Sequence, residues 1–201
     1  MKKAEQSEAT RTALLQAARE LFTEHGYADT GTEDIAQRAG VTRGAIYYQF
    51  RDKAGLFYAV VEDLNQSVAQ TAVSAIQFAQ GEQEGDLWDQ TIRAGVEAYL
   101  DATMGLAVQR ITLIEASAVL SREENYQLDK KYGLDPIRGV LQELMDAGLL
   151  APQPLGALSH FVLNMLAQAS LYIAQADDQV VARKEISAFI YSFFDGLRVK
   201  N

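Results

Sequence analysis

The chain contains no cysteine and only three prolines among its 201 residues. The absence of cysteine excludes disulfides and thiolate chemistry, and it removes the ligand that structural zinc sites use most often. Runs of alternating Val, Thr and Ile, which are typical of strands, are also absent. Residues of high helix propensity dominate instead. The sequence therefore predicts an all-α protein and gives no reason to expect a metal or a cofactor.

Long hydrophobic segments are lacking as well. No uninterrupted apolar run approaches the roughly 18 residues that a membrane-spanning helix requires. The N-terminus begins with Met1, Lys2 and Lys3 and continues through Glu5 and Glu8, without the apolar core of a secretory signal. We therefore expect a cytoplasmic protein.

The negative charge of the chain is unevenly distributed. The net charge is −9, but residues 1–60 hold eight basic and eight acidic side chains, so the excess of acid lies after residue 60. Residues 37–53 contain four basic side chains and only one acidic one. A local positive stretch of this kind is typical of a nucleic-acid contact, although a solvated helix face would have the same composition.

Capping residues predict where the first two helices begin and end. Ser7 is a good N-cap and Gly26 a good C-cap for a first helix. Thr30 and Glu33 have the spacing of a capping box for a short second helix, and Thr32 is the other candidate N-cap.

A glycine-containing turn separates this second helix from a third. Gly40 ends the second helix, and Thr42 is placed to cap a third helix that ends near Gln49. Two short helices joined in this way are the signature of a helix-turn-helix. Asp52 is a cap for a long fourth helix, which apolar spacing extends to about Gly81.

The remainder of the chain predicts further helices, about nine in total. Residues 81–86 have the composition of an acidic loop, and a sixth helix is expected from Leu106 to Leu120. Ser121 and Glu124 form a second potential capping box.

The last two helices are apolar on several sides and must be covered on several sides. A four-helix interface between two subunits would cover them, and an ordinary core within one chain is the alternative. The residues predicted to form the dimer interface are Leu158, Phe161, Met165, Tyr172, Phe189, Ile190 and Phe193.

The segment from Thr32 to Phe50, followed by residues 51–57, strongly resembles the DNA-binding signature of the TetR family of transcriptional regulators. Residues 17–27 are similar to the first helix of that family and its closing turn, so the resemblance covers about residues 8–60. It implies a three-helix DNA-binding domain at residues 1–52. It also implies a helical ligand-binding and dimerisation domain at residues 53–201, linked to the first by the helix that begins at residue 53.

The third helix is the expected contact with DNA. Because it is short, only its first turn and its outer face can reach base edges in the major groove. Arg43 can donate twice to guanine, Gly44 permits close approach and Ala45 can touch a thymine methyl group. The resemblance assigns phosphate contacts to the side chains of Tyr47, Tyr48 and Gln49. The predicted DNA-binding residues are Thr32, Thr42, Arg43, Gly44, Ala45, Tyr47, Tyr48, Gln49 and Lys53.

The resemblance also implies an effector pocket after residue 60, and polar residues on apolar helices are the best candidates to line it. His160, Asn164 and Gln168 share one helix face; they could bind a ligand, bond across a dimer or face water. The full set of candidates is Tyr99, Met104, Arg110, Glu115, His160, Asn164 and Gln168.

The function that the resemblance implies is that of a ligand-responsive repressor, which binds a palindromic operator as a homodimer and is released by a small, partly apolar effector. The alternative is a helical protein-interaction adaptor that keeps the fold without an effector. An enzyme fits poorly, because the chain has two distant histidines and none of the common phosphate-loop or nucleophile motifs.

Overall fold

The computed structural model describes residues 3–81 and 86–199. Four of the residues in the predicted acidic loop, 82–85, lie outside this range. In the described residues the chain forms nine continuous helical stretches and no strand, which confirms the all-α prediction. The helices are α1 (Lys3–Asp29), α2 (Thr32–Arg38), α3 (Arg43–Phe50), α4 (Lys53–Gly81), α5 (Leu87–Ala102), α6 (Ala116–Val119), α7 (Arg122–Asp129), α8 (Asp135–Asp146), α9 (Leu155–Gln175) and α10 (Gln179–Leu197).

Two stretches of π-helix interrupt this pattern. The sixth helix, expected from Leu106 to Leu120, is π-helical over Val108–Glu115 before α6 completes it. A second π-helical segment, Lys130–Leu134, joins α7 to α8 without a break. π-Helices are rare and are often found at functional positions. The longer segment, Val108–Glu115, is therefore a candidate for a functional role.

Contacts divide the chain into two compact units that do not follow the sequence boundary at residue 52. The first unit is Met1–Asn65 with Leu106–Tyr126, and the second is Gln66–Gly105 with Gln127–Asn201. The boundary between a DNA-binding and a ligand-binding domain remains a prediction about function. In contacts, however, the segment 106–126 belongs with the N-terminal helices.

The core of the first unit forms where α1, α3 and the start of α4 bury one apolar face each. The ring of Phe22 packs edge-on against Phe57 with centroids 5.2 Å apart, and Tyr27 packs against Phe57 at 4.9 Å. Leu14 and Leu21, on the apolar face of α1, are buried as well. These contacts hold α1 and the start of α4 together beneath the helix-turn-helix.

Gly26 interrupts α1 where the sequence predicts the end of the first helix, but the helix begins at Lys3, so the prediction of Ser7 as its N-cap is wrong. Gly26 has a φ of 84°, a conformation that glycine adopts without strain, and it breaks the regular helix. The capping box predicted for α2 is wrong, because the Thr30 hydroxyl is buried and donates to the Gly26 carbonyl at 2.7 Å. Gly31 is the N-cap of α2 instead, and its N–H donates to the Asp34 carboxylate at 3.3 Å.

Two other predicted caps are confirmed. The Gly55 N–H donates to the Asp52 carboxylate at 2.7 Å in the first turn of α4. At the start of α7, the Ser121 N–H donates to Glu124 at 2.8 Å and the Glu124 N–H donates to the Ser121 hydroxyl at 3.2 Å. Such caps can be predicted from the sequence because a capping side chain bonds to groups only two or three residues away.

Arg110 and Glu115, on the π-helical segment, bind the end of α1. Arg110 donates to the carbonyl oxygens of Thr23 and Glu24, both at 3.1 Å, and to Glu115 at 3.4 Å. The Tyr27 N–H, just past the break at Gly26, donates to Glu115 at 2.9 Å. The pair thus satisfies backbone groups that a helix terminus leaves without partners.

These contacts give no support to the prediction that Arg110 and Glu115 line an effector pocket, which stays a prediction. Their polar atoms are used within the first unit, on backbone groups of α1. An added Cβ at Gly26 would lie 2.6 Å from a Glu115 carboxylate oxygen and 2.9 Å from an Arg110 nitrogen, so this glycine also makes room for the pair.

Replacing Glu115 with alanine is expected to lower the free energy of unfolding by about 1–2 kcal/mol, because the half-buried Tyr27 N–H loses its acceptor. Urea unfolding followed by circular dichroism measures this loss. Glu143→Ala, which removes an exposed carboxylate from α8, is the matched control and should change stability by less than about 0.5 kcal/mol. Equal effects of the two substitutions would contradict the role given to Glu115.

The second unit has its own core, centred on α5, α8, α9 and α10. Trp88, Leu100, Leu141, Val162 and Phe194 are among its buried residues. Ile190 is also fully buried here, so its assignment to a dimer interface is wrong: it packs inside the chain. α9 is long and apolar enough to cross a membrane by length and composition alone, a test that a core helix also passes.

Candidate nucleic-acid interface

The outer face of α3 is exposed and carries most of the predicted DNA contacts. Ile46 and Phe50 are buried, and the opposite face presents Tyr47 and Tyr48, which are 45% and 79% exposed. The two tyrosines are therefore surface residues and not part of the core. Tyrosines exposed to this degree can contact double-stranded DNA.

The first turn of α3 is open as well. Thr42 is the N-cap residue, but its hydroxyl makes no capping bond, and Thr42, Arg43 and Gly44 are exposed. Ala45 is half-buried. The nearest atom to a Cβ added at Gly44 would be the Thr42 hydroxyl oxygen at 3.8 Å, so nothing within the described residues blocks close approach at this point.

Side chains on this face are joined in a chain of polar contacts. The Thr32 hydroxyl donates to Glu33 at 3.1 Å, Glu33 forms an ion pair with Arg43, and Arg43 donates to the Tyr47 hydroxyl at 2.8 Å. The pKa of Glu33 is lowered, first by its own backbone N–H and then by Thr32. Three predicted DNA-contacting side chains, Thr32, Arg43 and Tyr47, thus contact one another or Glu33, which the sequence had marked only as a capping residue.

Gln49 and Lys53 are less free than the sequence suggested. The Gln49 amide donates to the Ser7 carbonyl at 3.1 Å and to the Ser7 hydroxyl at 2.9 Å, which ties α3 to α1. The Lys53 ammonium donates to the Thr30 carbonyl at 2.7 Å and lies 4.3 Å from the centre of the Tyr27 ring. Both side chains first serve the fold, and their contact with phosphate remains a prediction.

Comparison with known proteins decides the family. Residues 88–197 match the profile described as "Tetracyclin repressor-like, C-terminal domain", and residues 14–60 match "Bacterial regulatory proteins, tetR family". The chain belongs to the TetR family. The resemblance stated from the sequence is thereby confirmed, and so is DNA binding as the family's activity.

Individual relatives agree with this assignment. The regulator TtgR of Pseudomonas putida is 43% identical over 63 residues, which cover 31% of this chain and 30% of TtgR. YfiR of Bacillus subtilis, an uncharacterised regulator, is 27% identical over 93% of this chain and 92% of its own length. A TetR-family regulator from Pectobacterium atrosepticum has a solved structure with 30% identity and a TM-score of 0.79, covering 100% of this chain and 99% of that one.

The relatives also differ in how much of this TetR-family chain they match. The segment shared with TtgR spans less than a third of TtgR's own length. Similarity to YfiR and to the Pectobacterium protein extends over nearly the whole chain. These relatives are described as transcriptional regulators, not as enzymes.

The polar residues predicted for the effector site are divided by the structure. His160, Asn164 and Gln168 are all exposed on α9, and the Asn164 amide donates to the His160 carbonyl one turn earlier at 2.8 Å. Within a single chain they line no interior site, so bonding across a dimer or facing water describes them better.

Tyr99 and Met104 pack against the core of the second unit. Burial raises the pKa of Tyr99 to about 12, and an interaction with the Ser170 side chain opposes this rise. The hydroxyls of Ser170 and Thr103 lie 2.8 Å apart, and both residues are buried. No sequence pattern marks Thr103 and Ser170, because only the pairing of α5 with α9 brings their hydroxyls together.

An apolar surface remains exposed along α9 and α10. Phe161, Tyr172 and Phe189 are 56%, 51% and 63% exposed, whereas Leu158, Met165 and Phe193 are half-buried. The rings of Phe161 and Phe193 are in contact across the two helices, with centroids 5.3 Å apart. Six of the seven residues predicted for the dimer interface therefore lie at least partly on the surface.

Proposed function

We propose that this protein is a homodimeric, effector-controlled repressor whose two α3 helices read a palindromic operator. The observation that carries the proposal is the division of α3 into two faces. Its apolar residues Ile46 and Phe50 are buried, while Arg43, Tyr47 and Tyr48 project from the surface. A helix that exposes a guanidinium and two phenols is suited to the major groove and its flanking phosphates.

The proposed dimer is supported by the exposed aromatic surface of α9 and α10. Exposed apolar patches that contain several aromatic rings are typical of protein interfaces. A twofold axis through this surface would present two α3 helices, and an operator would then consist of two half-sites roughly 34–36 Å apart.

The effector is proposed to be small and partly apolar, and to bind in the second unit. Support comes from the hydroxyls of Tyr99, Thr103 and Ser170, which lie within an otherwise apolar core and can exchange their mutual bonds for bonds to a ligand. Met104, packed against the same core, would supply apolar contact. Such a repressor acts in the cytoplasm, where its operator is.

Release from DNA requires that the effector favour one conformation of the dimer over another. Two parts of the chain are placed to convey this preference. α4 begins in the first unit and ends in the second, and the segment 106–126, bound to α1 through Arg110 and Glu115, is joined directly to the chain of the second unit at both ends.

Selection of duplexes from a random pool with the purified protein tests the DNA-binding part of this proposal. The expected product is a palindromic site that binds two chains per duplex. Failure to enrich any sequence at low salt would overturn it.

Thermal-shift screening of small aromatic and aliphatic compounds tests the effector part, because a bound ligand raises the stability of the folded protein. No shift with any compound would favour the adaptor alternative.

A further inference from the structure

Glu33 is an acidic side chain on the surface that we propose contacts DNA. It is exposed at the start of α2, and its carboxylate contacts both the Thr32 hydroxyl and the Arg43 guanidinium. Arg43 is held at its other side by the Tyr47 hydroxyl. One carboxylate therefore engages two of the groups expected to contact DNA, and it fixes the direction of the arginine that is expected to read a base.

The ion pair between Arg43 and Glu33 is weak enough for DNA to replace it. The side chains of Arg43 and Glu33 are 54% and 64% exposed, and ion pairs in such surroundings contribute little to stability. A guanine edge offers two acceptors to Arg43 at once and can displace the carboxylate. A phosphate offers Arg43 another exposed ion pair in exchange for the one with Glu33. It also leaves two negative groups, the phosphate and Glu33, close to each other.

We propose that Glu33 is a specificity-determining residue, whose carboxylate holds Arg43 away from phosphates until the edge of the correct base pair displaces it. On other sequences Arg43 stays with Glu33, and the charge of Glu33 weakens attraction to the backbone, which supplies most of non-specific affinity. This inference rests on the proposed function, since it assumes that α3 meets DNA.

Glu33→Gln tests the proposal, because it keeps the shape of the side chain and removes its charge. Affinity is measured by fluorescence anisotropy for the selected operator and for a scrambled duplex of equal length and composition, over a series of salt concentrations. Binding to the scrambled duplex is expected to strengthen more than binding to the operator, so that their ratio falls about three- to tenfold. The salt dependence of scrambled-duplex binding is expected to steepen by about 0.9 in log–log slope per subunit.

Glu20→Gln is the matched control. Glu20 forms an exposed ion pair with Arg38 at 3.0 Å in the same unit, so the substitution breaks a Glu–Arg contact of the same kind away from α3. It should leave the affinity ratio unchanged. In a background that carries Arg43→Ala, the effect of Glu33→Gln on the ratio should disappear, because the arginine that it restrains is gone.

Two results would overturn the proposal while leaving the repressor function intact. Equal strengthening on both duplexes, or none, would mean that Glu33 does not discriminate. Weaker operator binding by Glu33→Gln would mean that the carboxylate itself accepts a hydrogen bond from the operator, as it can from cytosine. Failure of the proposed function is a different outcome, in which no operator is selected and Arg43→Ala changes nothing.

Discussion

Arg43→Ala is expected to weaken operator binding by on the order of a hundredfold, while the affinity for scrambled DNA falls much less. A bidentate contact with guanine discriminates by about 1–3 kcal/mol, and a dimer makes it in both half-sites. Arg43 is the basic residue in the exposed first turn of α3, and the Tyr47 hydroxyl holds its guanidinium in place. Anisotropy titrations on operator and scrambled duplexes measure both losses.

Arg38→Ala gives the control for charge alone. Arg38 lies at the end of α2 and pairs with Glu20 at 3.0 Å and with Glu24 at 3.6 Å. It carries the same charge as Arg43, but it is bound to α1 and does not lie on α3. Its loss should leave the preference for the operator intact. If both variants lost preference to the same degree, α3 would not be the element that reads the sequence.

The second large effect is expected at the dimer surface, where Phe161→Asp combined with Phe189→Asp should yield a folded monomer. Burying a phenylalanine side chain stabilises an interface by about 1.5–3 kcal/mol, and each position counts twice across a twofold axis. The dimer dissociation constant should therefore rise by at least three orders of magnitude. Sedimentation velocity measures the mass, and the same sample should lose operator binding.

Phe78→Asp is the matched control for this pair. Phe78 is 73% exposed on α4, outside α9 and α10, so the substitution introduces the same charge at an equally exposed ring. It should leave the dimer intact. A dimer that survives the double substitution, or one that dissociates with Phe78→Asp, would place the interface elsewhere on the molecule.

The part of the site that the sequence predicted is the part that depends on local geometry. The helical period alone places Ile46 and Phe50 on one side of α3 and Arg43 and Tyr47 on the other, and the structure has them so. The cap at Asp52 was equally predictable, since its acceptor and donor are three residues apart.

The rest depends on contacts between residues far apart in the chain. Arg110 and Glu115 resembled pocket residues because they are polar on an apolar helix. The groups that they bind, at Thr23 and Tyr27, are more than 80 residues away, and no period or motif connects them. Ile190 is a similar case: a stripe of apolar residues shows that a helix is covered, but it does not show whether its own chain or a partner covers it.

Glu33 illustrates a third limit. By composition it is one acidic residue in the first turn of a short helix, where carboxylates are common because they favour the helix dipole. Only the approach of α2 to α3 brings it to Arg43, and only then does its charge bear on how DNA is read.

The attachment of residues 106–126 to α1 bears on how this protein can be recombined with others. A hybrid regulator spliced after residue 52 or 65 would take its recognition helices from one parent and the support of α1 from another. The foreign segment would have to supply an arginine and a glutamate that meet the backbone around Gly26. Such hybrids should function only when this internal segment is transplanted together with the N-terminal helices.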